Sequence, residues 1–391
     1  MALAVPATPP PGAETVEIIR SADAGVLVED WRRLAAGAGE PNVFLTPDFL
    51  LPQLACFAPS AEIATVRSAD GRLVGLAPVV AGRLASGLTG AVPTLWCNEY
   101  APLGTPLVAA GAEETFWTAI LQYQATRANV IAVRDMRLDG PVFRALEAVA
   151  DRAGQALHIA GRHARAALAG GEDWDTYAAR AFDRKRRKET ARLWRRLAER
   201  GDACSDVVTA PDAVREAFEA FLALEASGWK GRAGTAMAGL PEVAAFARAA
   251  IDGLAGQGAV AIDRIRLDGR LVAAVVRLSS GGRTWPWKTA FAEDLAPASP
   301  GVQVMIAATE RLFAVPGFAG ADSLATADHP MIDPLWRDRI EIGTVAVDLG
   351  GMLPRARLVA ADVAGWLALR RAARRGLEMM AREMGRLGLG S

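Results

Sequence analysis

The segment Asp70-Gly71-Arg72-Leu73-Val74-Gly75-Leu76-Ala77-Pro78-Val79-Val80 recurs far downstream as Asp268-Gly269-Arg270-Leu271-Val272-Ala273-Ala274-Val275-Val276. Largely apolar runs lead into both copies: Glu62-Ile63-Ala64-Thr65-Val66-Arg67 before the first, Val260-Ala261-Ile262-Asp263-Arg264-Ile265-Arg266-Leu267 before the second. Asp-Gly between alternating strands marks a tight hairpin, because glycine accepts the positive φ that such a turn demands. One hairpin says little. Two near-copies imply a duplicated domain, each half with its own core. A chain of 391 residues is long enough for that.

The chain divides accordingly into a proline-rich leader over 1–14, expected to be disordered, a first half over 15–161, a second half over 162–350 and a C-terminal segment over 351–391. Helical patterns occupy 24–36, carrying Trp31, and 112–125. Gly161 and the pair Gly170-Gly171 act as breakers in the connector. The second half shows helical patterns over 174–199, 213–226 and 241–254, then the second hairpin, a strand over 283–291, a helix over 299–314 and a late strand over 340–347. Hairpins interleaved with helices in this way predict an α/β (α+β) fold. Over 357–387, Val359, Val363, Trp366, Leu377, Met380 and Met384 recur at helical spacing, with Arg370, Arg371, Arg374 and Arg375 on other faces. That describes an amphipathic helix docked on the body, with attachment to a membrane surface as the competing reading.

Lysine plus arginine balances aspartate plus glutamate at 44 each, so no global field recruits nucleic acid. Cys56, Cys97 and Cys204 are odd in number and far apart, which fits a reducing compartment and a cytoplasmic protein better than a disulfide framework. The N-terminus lacks the basic and continuous apolar regions of a signal peptide. The uncharged stretch 84–98 contains Gly87, Gly90 and Pro93 and is too short for an integral membrane segment. No Cys-x-x-Cys or His-Glu-x-x-His spacing supports a metal. Gly256-Gln257-Gly258 imitates a dinucleotide fingerprint but follows a helix and precedes a strand, the reverse of the required order. Cys97 reads as a buried apolar cysteine rather than a nucleophile.

The stretch Trp285-Pro286-Trp287-Lys288-Thr289-Ala290-Phe291, followed by Glu293-Asp294 and Ser299-Pro300-Gly301-Val302-Gln303, carries the most chemistry. Pro286 cannot donate to a ladder, so it marks an edge or a bulge that frees main-chain groups for a substrate. Ser299 suits a helix N-cap, Pro300 the first helical turn, and Gly301 leaves the helix start uncovered for an anion. The same residues also describe a well-capped helix with no ligand. Trp285 and Trp287 offer flat surfaces to a substrate or to the core.

Four segments of the second half together resemble the FemAB-like branch of the GNAT superfamily, in particular the CelD-type "cellulose biosynthesis" proteins. They are Arg184-Lys185-Arg186-Arg187-Lys188, continuing to Leu193, Leu197 and Gly201; Leu224-Glu225-Ala226-Ser227-Gly228-Trp229-Lys230-Gly231; Lys288 through Gly301; and Asp328-His329-Pro330-Met331-Ile332-Asp333-Pro334-Leu335-Trp336. In the first half, Trp31 and Asn42-Val43-Phe44-Leu45-Thr46-Pro47-Asp48-Phe49 add a fifth. Their order and spacing, over about residues 15–350, carry the resemblance. It implies tandem GNAT-like domains, each a mixed, mainly antiparallel sheet flanked by helices. It also implies transfer from acetyl-CoA or another acyl-CoA to an amine or hydroxyl acceptor, a small molecule or a polysaccharide or cell-envelope precursor. The alternative is a non-catalytic double-GNAT scaffold that binds a partner through its basic helices. The long coiled-coil insertion of the aminoacyl-tRNA-dependent Fem transferases is not visible.

Acyl transfer requires an oriented donor, a polarised carbonyl and a deprotonated acceptor. The resemblance places the donor at Ser299, Pro300, Gly301, Val302 and Gln303, with amides near Thr289 and Ala290 turned to the thioester carbonyl. Asp328 with His329 is the first choice of base, since imidazole titrates near neutrality and a carboxylate tunes it; His158 and His163 lie near the connector. Lys288 either neutralises phosphate or carbonyl charge or is an ordinary strand lysine. Trp229 and Lys230 form either an acceptor-site lid or a structural cap. The basic run 184–188 with Arg192, Arg195 and Arg196 reads as a solvated helix face, with attraction of CoA phosphates or an anionic acceptor as the alternative.

Overall fold

Both Asp-Gly turns form. Gly71 and Gly269 take φ of 83° and 79°, and each joins two antiparallel strands. The computed structural model of the chain describes residues 14–351 and 353–386, so residues 1–13 of the expected leader lie outside the described residues.

In chain order the first half supplies β1 (Thr15–Arg20), α1 (Val28–Ala36), α2 (Pro47–Phe57), β2 (Glu62–Arg67), β3 (Leu73–Arg83), β4 (Ala91–Leu95), β5 (Leu107–Val108), α3 (Glu113–Ala125), β6 (Val130–Arg137), α4 (Pro141–Arg152) and β7 (Leu157–Ala169). The second supplies α5 (Trp174–Ala181), α6 (Arg184–Ala198), β8 (Ala203–Val208), α7 (Pro211–Ser227), α8 (Trp229–Arg232), α9 (Pro241–Gly256), β9 (Val260–Leu267), β10 (Arg270–Ser280), β11 (Arg283–Phe291), α10 (Pro300–Phe313), β12 (Gly320–Asp322) and β13 (Asp338–Asp348), before α11 (Arg355–Arg386).

Two helices differ from expectation. Ser21–Leu27 is a 3-10 helix, so the α-helix expected over 24–36 begins only at Val28; Gly25 disfavours α geometry there. The helix expected over 174–199 is two helices. Asp183 takes an extended conformation and its side chain accepts the Arg186 amide at 2.6 Å, capping α6, while Phe182 turns into the core.

The strands form one sheet in the order β1-β2-β3-β4-β6-β13-β7-β12-β11-β10-β9-β8, with β5 beside β3. The duplication is visible in it. After α3, β6 pairs in parallel with β4; after α10, β12 pairs in parallel with β11. At the centre the halves exchange strands: β7, which follows α4 of the first half, pairs with β12, and β13 from the second half pairs with β6. β7 therefore runs through residues 161 and 162, where the sequence suggested the division between halves.

Alternate residues of the central strands face opposite layers. Val345 and Val347 pack with Phe116, Trp117 and Leu146 of α3 and α4, whereas Ala346 packs beneath Ala356, Val359 and Val363 of α11. The side chains of Arg374, Arg375, Leu377, Met380 and Met384 lie outside the described ones. Among the described residues no helix is long and apolar enough to cross a membrane. In the second half the wholly buried Asp263 accepts from Arg277 Nε at 2.5 Å and Arg311 Nη1 at 2.8 Å, fixing α10 to β9 and β10. A buried carboxylate is tolerated only with such partners.

Candidate active site

Val276 pairs with Lys288 and Arg277 with Pro286, so β11 carries Trp287 as an extra residue. Pro286, without an N–H, sits at this irregularity. An inserted residue breaks the alternation of a strand and lets consecutive side chains share a face. Trp287 and Lys288 do so, and both turn to the first half. Trp287 Nε1 donates to the Tyr100 carbonyl at 2.7 Å, and Lys288 Nζ lies 4.5 Å from the centre of the Tyr100 ring and 5.6 Å from that of Trp287.

Tyr100 is itself held. Asn98 Oδ1 accepts its amide at 2.9 Å and Gln53 Nε2, from α2, at 2.8 Å. The phenol stacks on Phe57 and meets Phe246 edge-on. Opposite stands the end of α7, where buried Glu225 accepts Lys230 Nζ at 2.6 Å and the Met237 amide at 2.9 Å. Glu293, just past β11, accepts the Trp229 amide at 2.5 Å and Arg232 at 2.6 Å. The segment with Trp229 and Lys230 is thereby tied to the loop that follows Lys288, and Trp229 is 58 % exposed. Burial, assisted by the nearby charge of Lys230, pulls the Lys288 ammonium down to about 8, against the opposing pull of Glu225 and Glu99.

Beside this group the sheet parts. β11 and β12 pair only at Arg283↔Gly320 and Thr284↔Ala321. The Ala292 amide donates to Val272 at 2.8 Å. By antiparallel alternation Ala290 then also spends its amide on β10, whereas Thr289 turns its amide towards the opening. Of the two expected carbonyl donors, Thr289 remains available and Ala290 does not.

The start of α10 corrects the expectation further. Ser299 is left-handed, with φ 50°, and its hydroxyl makes no cap bond; instead its carbonyl accepts the Val302 and Gln303 amides at 3.0 and 3.2 Å. Pro300 has no amide to offer. Gln303 is buried, its Nε2 donating to Thr190 of α6 at 3.0 Å. Gly301 is buried rather than uncovered: a Cβ there would fall 3.0 Å from Phe291 Cδ1. One amide, that of Gly301, is left, beneath a ring that is itself 36 % exposed.

Trp285 belongs to the core, 1 % exposed against Phe44, and offers no surface to a substrate. Trp287 is also buried, as a strut to Tyr100. His329 Nδ1 accepts the Met331 and Ile332 amides at 3.3 and 3.4 Å, so it caps its own turn instead of pairing with Asp328. Exposed Asp328 lines a cleft beneath α11. No described hydrogen bond, ion pair or ring contact links either residue to Lys288. Among the described residues no group of three His, Cys, Asp or Glu is placed to hold a metal. Sequence reasoning overlooked Tyr100 and Glu225; the available signals were Asn98-Glu99-Tyr100, polar after a long uncharged stretch, and a glutamate just before Gly228-Trp229.

Residues 184–329 match the model of an acetyltransferase (GNAT) domain. Residues 184–329 are a GNAT acetyltransferase domain. No curated protein matches the chain in sequence. Among solved structures, FemX is similar at TM-score 0.55 and 11 % identity, covering 82 % of this chain and 95 % of FemX. The C-terminal domain of a putative lysylphosphatidylglycerol synthetase from Agrobacterium fabrum is similar at 0.52 and 13 %, covering 86 % and 95 %. L-PGS from Bacillus licheniformis is similar at 0.50 and 13 %, covering 88 % and 96 %. At these identities the likeness is one of fold, spanning both halves. Lys288, Glu225, Lys230 and the α10 start all lie in the GNAT domain, while Tyr100 is outside the matched segment.

Proposed function

We propose that this GNAT acyltransferase moves an acyl group from acyl-CoA to an amine or hydroxyl acceptor bound between the halves, with Lys288 taking the acceptor's proton. The observation that carries the reading is the β11 bulge, which sets a lysine of depressed pKa against Tyr100 beside the parting of β11 and β12. The acceptor nitrogen or oxygen attacks the thioester carbon and its proton passes to neutral Lys288 Nζ. The Thr289 amide meets the charge growing on the carbonyl oxygen. The C–S bond then breaks, and the leaving thiolate takes the proton from Lys288. The Gly301 amide receives a donor phosphate once the Phe291 ring swings aside.

Trp229 and Lys230 lie where an acceptor enters, and a polysaccharide or cell-envelope precursor assembled in the cytoplasm fits the CelD-type resemblance. The test is thiol release from a panel of acyl-CoAs with amines, amino sugars and polyols. Turnover with at least one pair supports the reading. Failure of any acyl-CoA to bind in calorimetry returns the chain to a non-catalytic scaffold.

A further inference from the structure

Beneath α11 the centre of the sheet opens into a cleft of about 730 Å³, a volume within the range of small-ligand sites. Two bulges shape its floor. β6 sets Arg134 and Asp135 against Thr344 alone, and β7 sets Gly161 and Arg162 against Gly343 alone. Regular strands send neighbouring side chains to opposite faces. Here Arg134 with Asp135, and Arg162 with His163, line the same cleft. Gly161 is needed for this: its φ is 65°, and a Cβ would fall 2.5 Å from Leu367 Cδ1 of α11. Ala85, Asp135 and Asp328 are three of the six described non-glycine residues with positive φ, and all three line the cleft. Strain of this kind persists where the surroundings over-determine it, commonly at binding sites.

The charge is one-sided. Arg83, Arg134, Arg162, Arg370 and Arg371 face the cleft against Asp135 and Asp328. Arg162 meets Glu341 at 3.4 Å. Arg83, Arg134 and Arg370, from β3, β6 and α11, make no ion pair among the described residues. Three guanidinium groups from three elements thus line one cleft, and their planar forks match phosphate oxygens. The indole of Trp366, 39 % exposed, forms a wall on which an organic group can lie. None of the side chains around Lys288 lines this cleft.

We propose that the cleft beneath α11 is a second binding site, distinct from the candidate site around Lys288, for a phosphate-bearing organic ligand held by Arg83, Arg134 and Arg370 against Trp366. The phosphate comes from a free organic phosphate or from a lipid headgroup. The full chain is titrated with ADP in a calorimeter and sedimented with vesicles of phosphatidylglycerol in phosphatidylcholine, alongside Arg83→Ser/Arg134→Ser and Arg134→Lys. Both arginines are exposed, so the double variant melts as the parent does. Salt-sensitive binding of at least one probe is expected. The double variant weakens it about a hundredfold, at about tenfold per charge-assisted contact, and Arg134→Lys falls in between, with CoA affinity and thiol release unchanged. Loss of ADP binding assigns the site to a free phosphate; loss of vesicle binding alone assigns it to a headgroup. Equal behaviour of parent and double variant towards both probes, including no binding by either, overturns the proposal. So does a parallel loss of CoA affinity, which would make the cleft part of the donor site.

Discussion

The Lys288 ammonium lies 4.5 Å from the centre of the Tyr100 ring, so the candidate base of the second half rests on an aromatic carried by the first. The exchange of β7 and β13 fixes that contact, because neither half can rotate away while their central strands interleave. The first half thus supplies the aromatic surface against which Lys288 lies.

As a base, Lys288 must be neutral, so kcat/KM is expected to rise with pH along a limb near 8. Lys230 holds this pKa down and Glu225 holds it up. Lys230→Met therefore moves the limb to higher pH and Glu225→Gln to lower pH. A flat profile, or shifts of the opposite sign, would contradict the role. The depressed pKa has a second consequence. Between about 8 and the ordinary 10.5 the unfolded chain binds the proton that the folded one has lost, so this residue makes stability rise with pH there.

Glu225→Ala strips Lys230 of its carboxylate and leaves the Met237 amide without its acceptor. Because Lys230 keeps some exposure, the expected loss is about 2–3 kcal/mol, below that of a fully buried pair. Urea denaturation measures it. A loss under about 0.5 kcal/mol would place the pair among ordinary surface contacts.

Glu40, 4 % exposed, has its carboxyl pushed up to about 7 by burial, with Arg137 at 3.9 Å and Arg283 pulling the other way and Asp139 adding to the rise. A raised folded pKa means that the folded chain keeps a proton the unfolded chain has released. This residue's contribution to stability therefore falls as pH rises from about 4.5 through about 7. Glu40→Gln removes that contribution. Comparing denaturation midpoints of parent and variant at pH 5 and pH 8 isolates it; an identical pH dependence in both proteins would remove Glu40 as the cause.

Phe291→Ala uncovers the Gly301 amide and is expected to tighten CoA binding up to about tenfold, the value of one charge-assisted hydrogen bond. Gly301→Glu sets a carboxylate at the same point and weakens it. Unchanged affinity in both variants, read by calorimetry, would remove the α10 start from the donor site.

The hairpins were legible because an Asp-Gly turn is local chemistry, and the duplication because local chemistry was repeated. Lys288 was legible as a candidate through its motif, as was the irregularity at Pro286. What could not be read was long-range. Tyr100 is distant in sequence from Lys288, and only the exchanged strands bring them together. Gly301 looked open because a sequence does not show the ring folded over it. His329 looked like a base because its use as a turn cap depends on the geometry of Met331 and Ile332. Nothing local in the sequence joins Arg134 to Arg162; two bulges bring them to one cleft.

The most direct test of the central claim is single-turnover transfer from acetyl-CoA to an accepted amine, parent against Lys288→Met, with CoA affinity measured on the same samples. A rate lower by about 10²–10⁴ with unchanged CoA affinity is predicted. A Lys288→Met enzyme that turns over at the parent rate would contradict the assignment of Lys288 as the base.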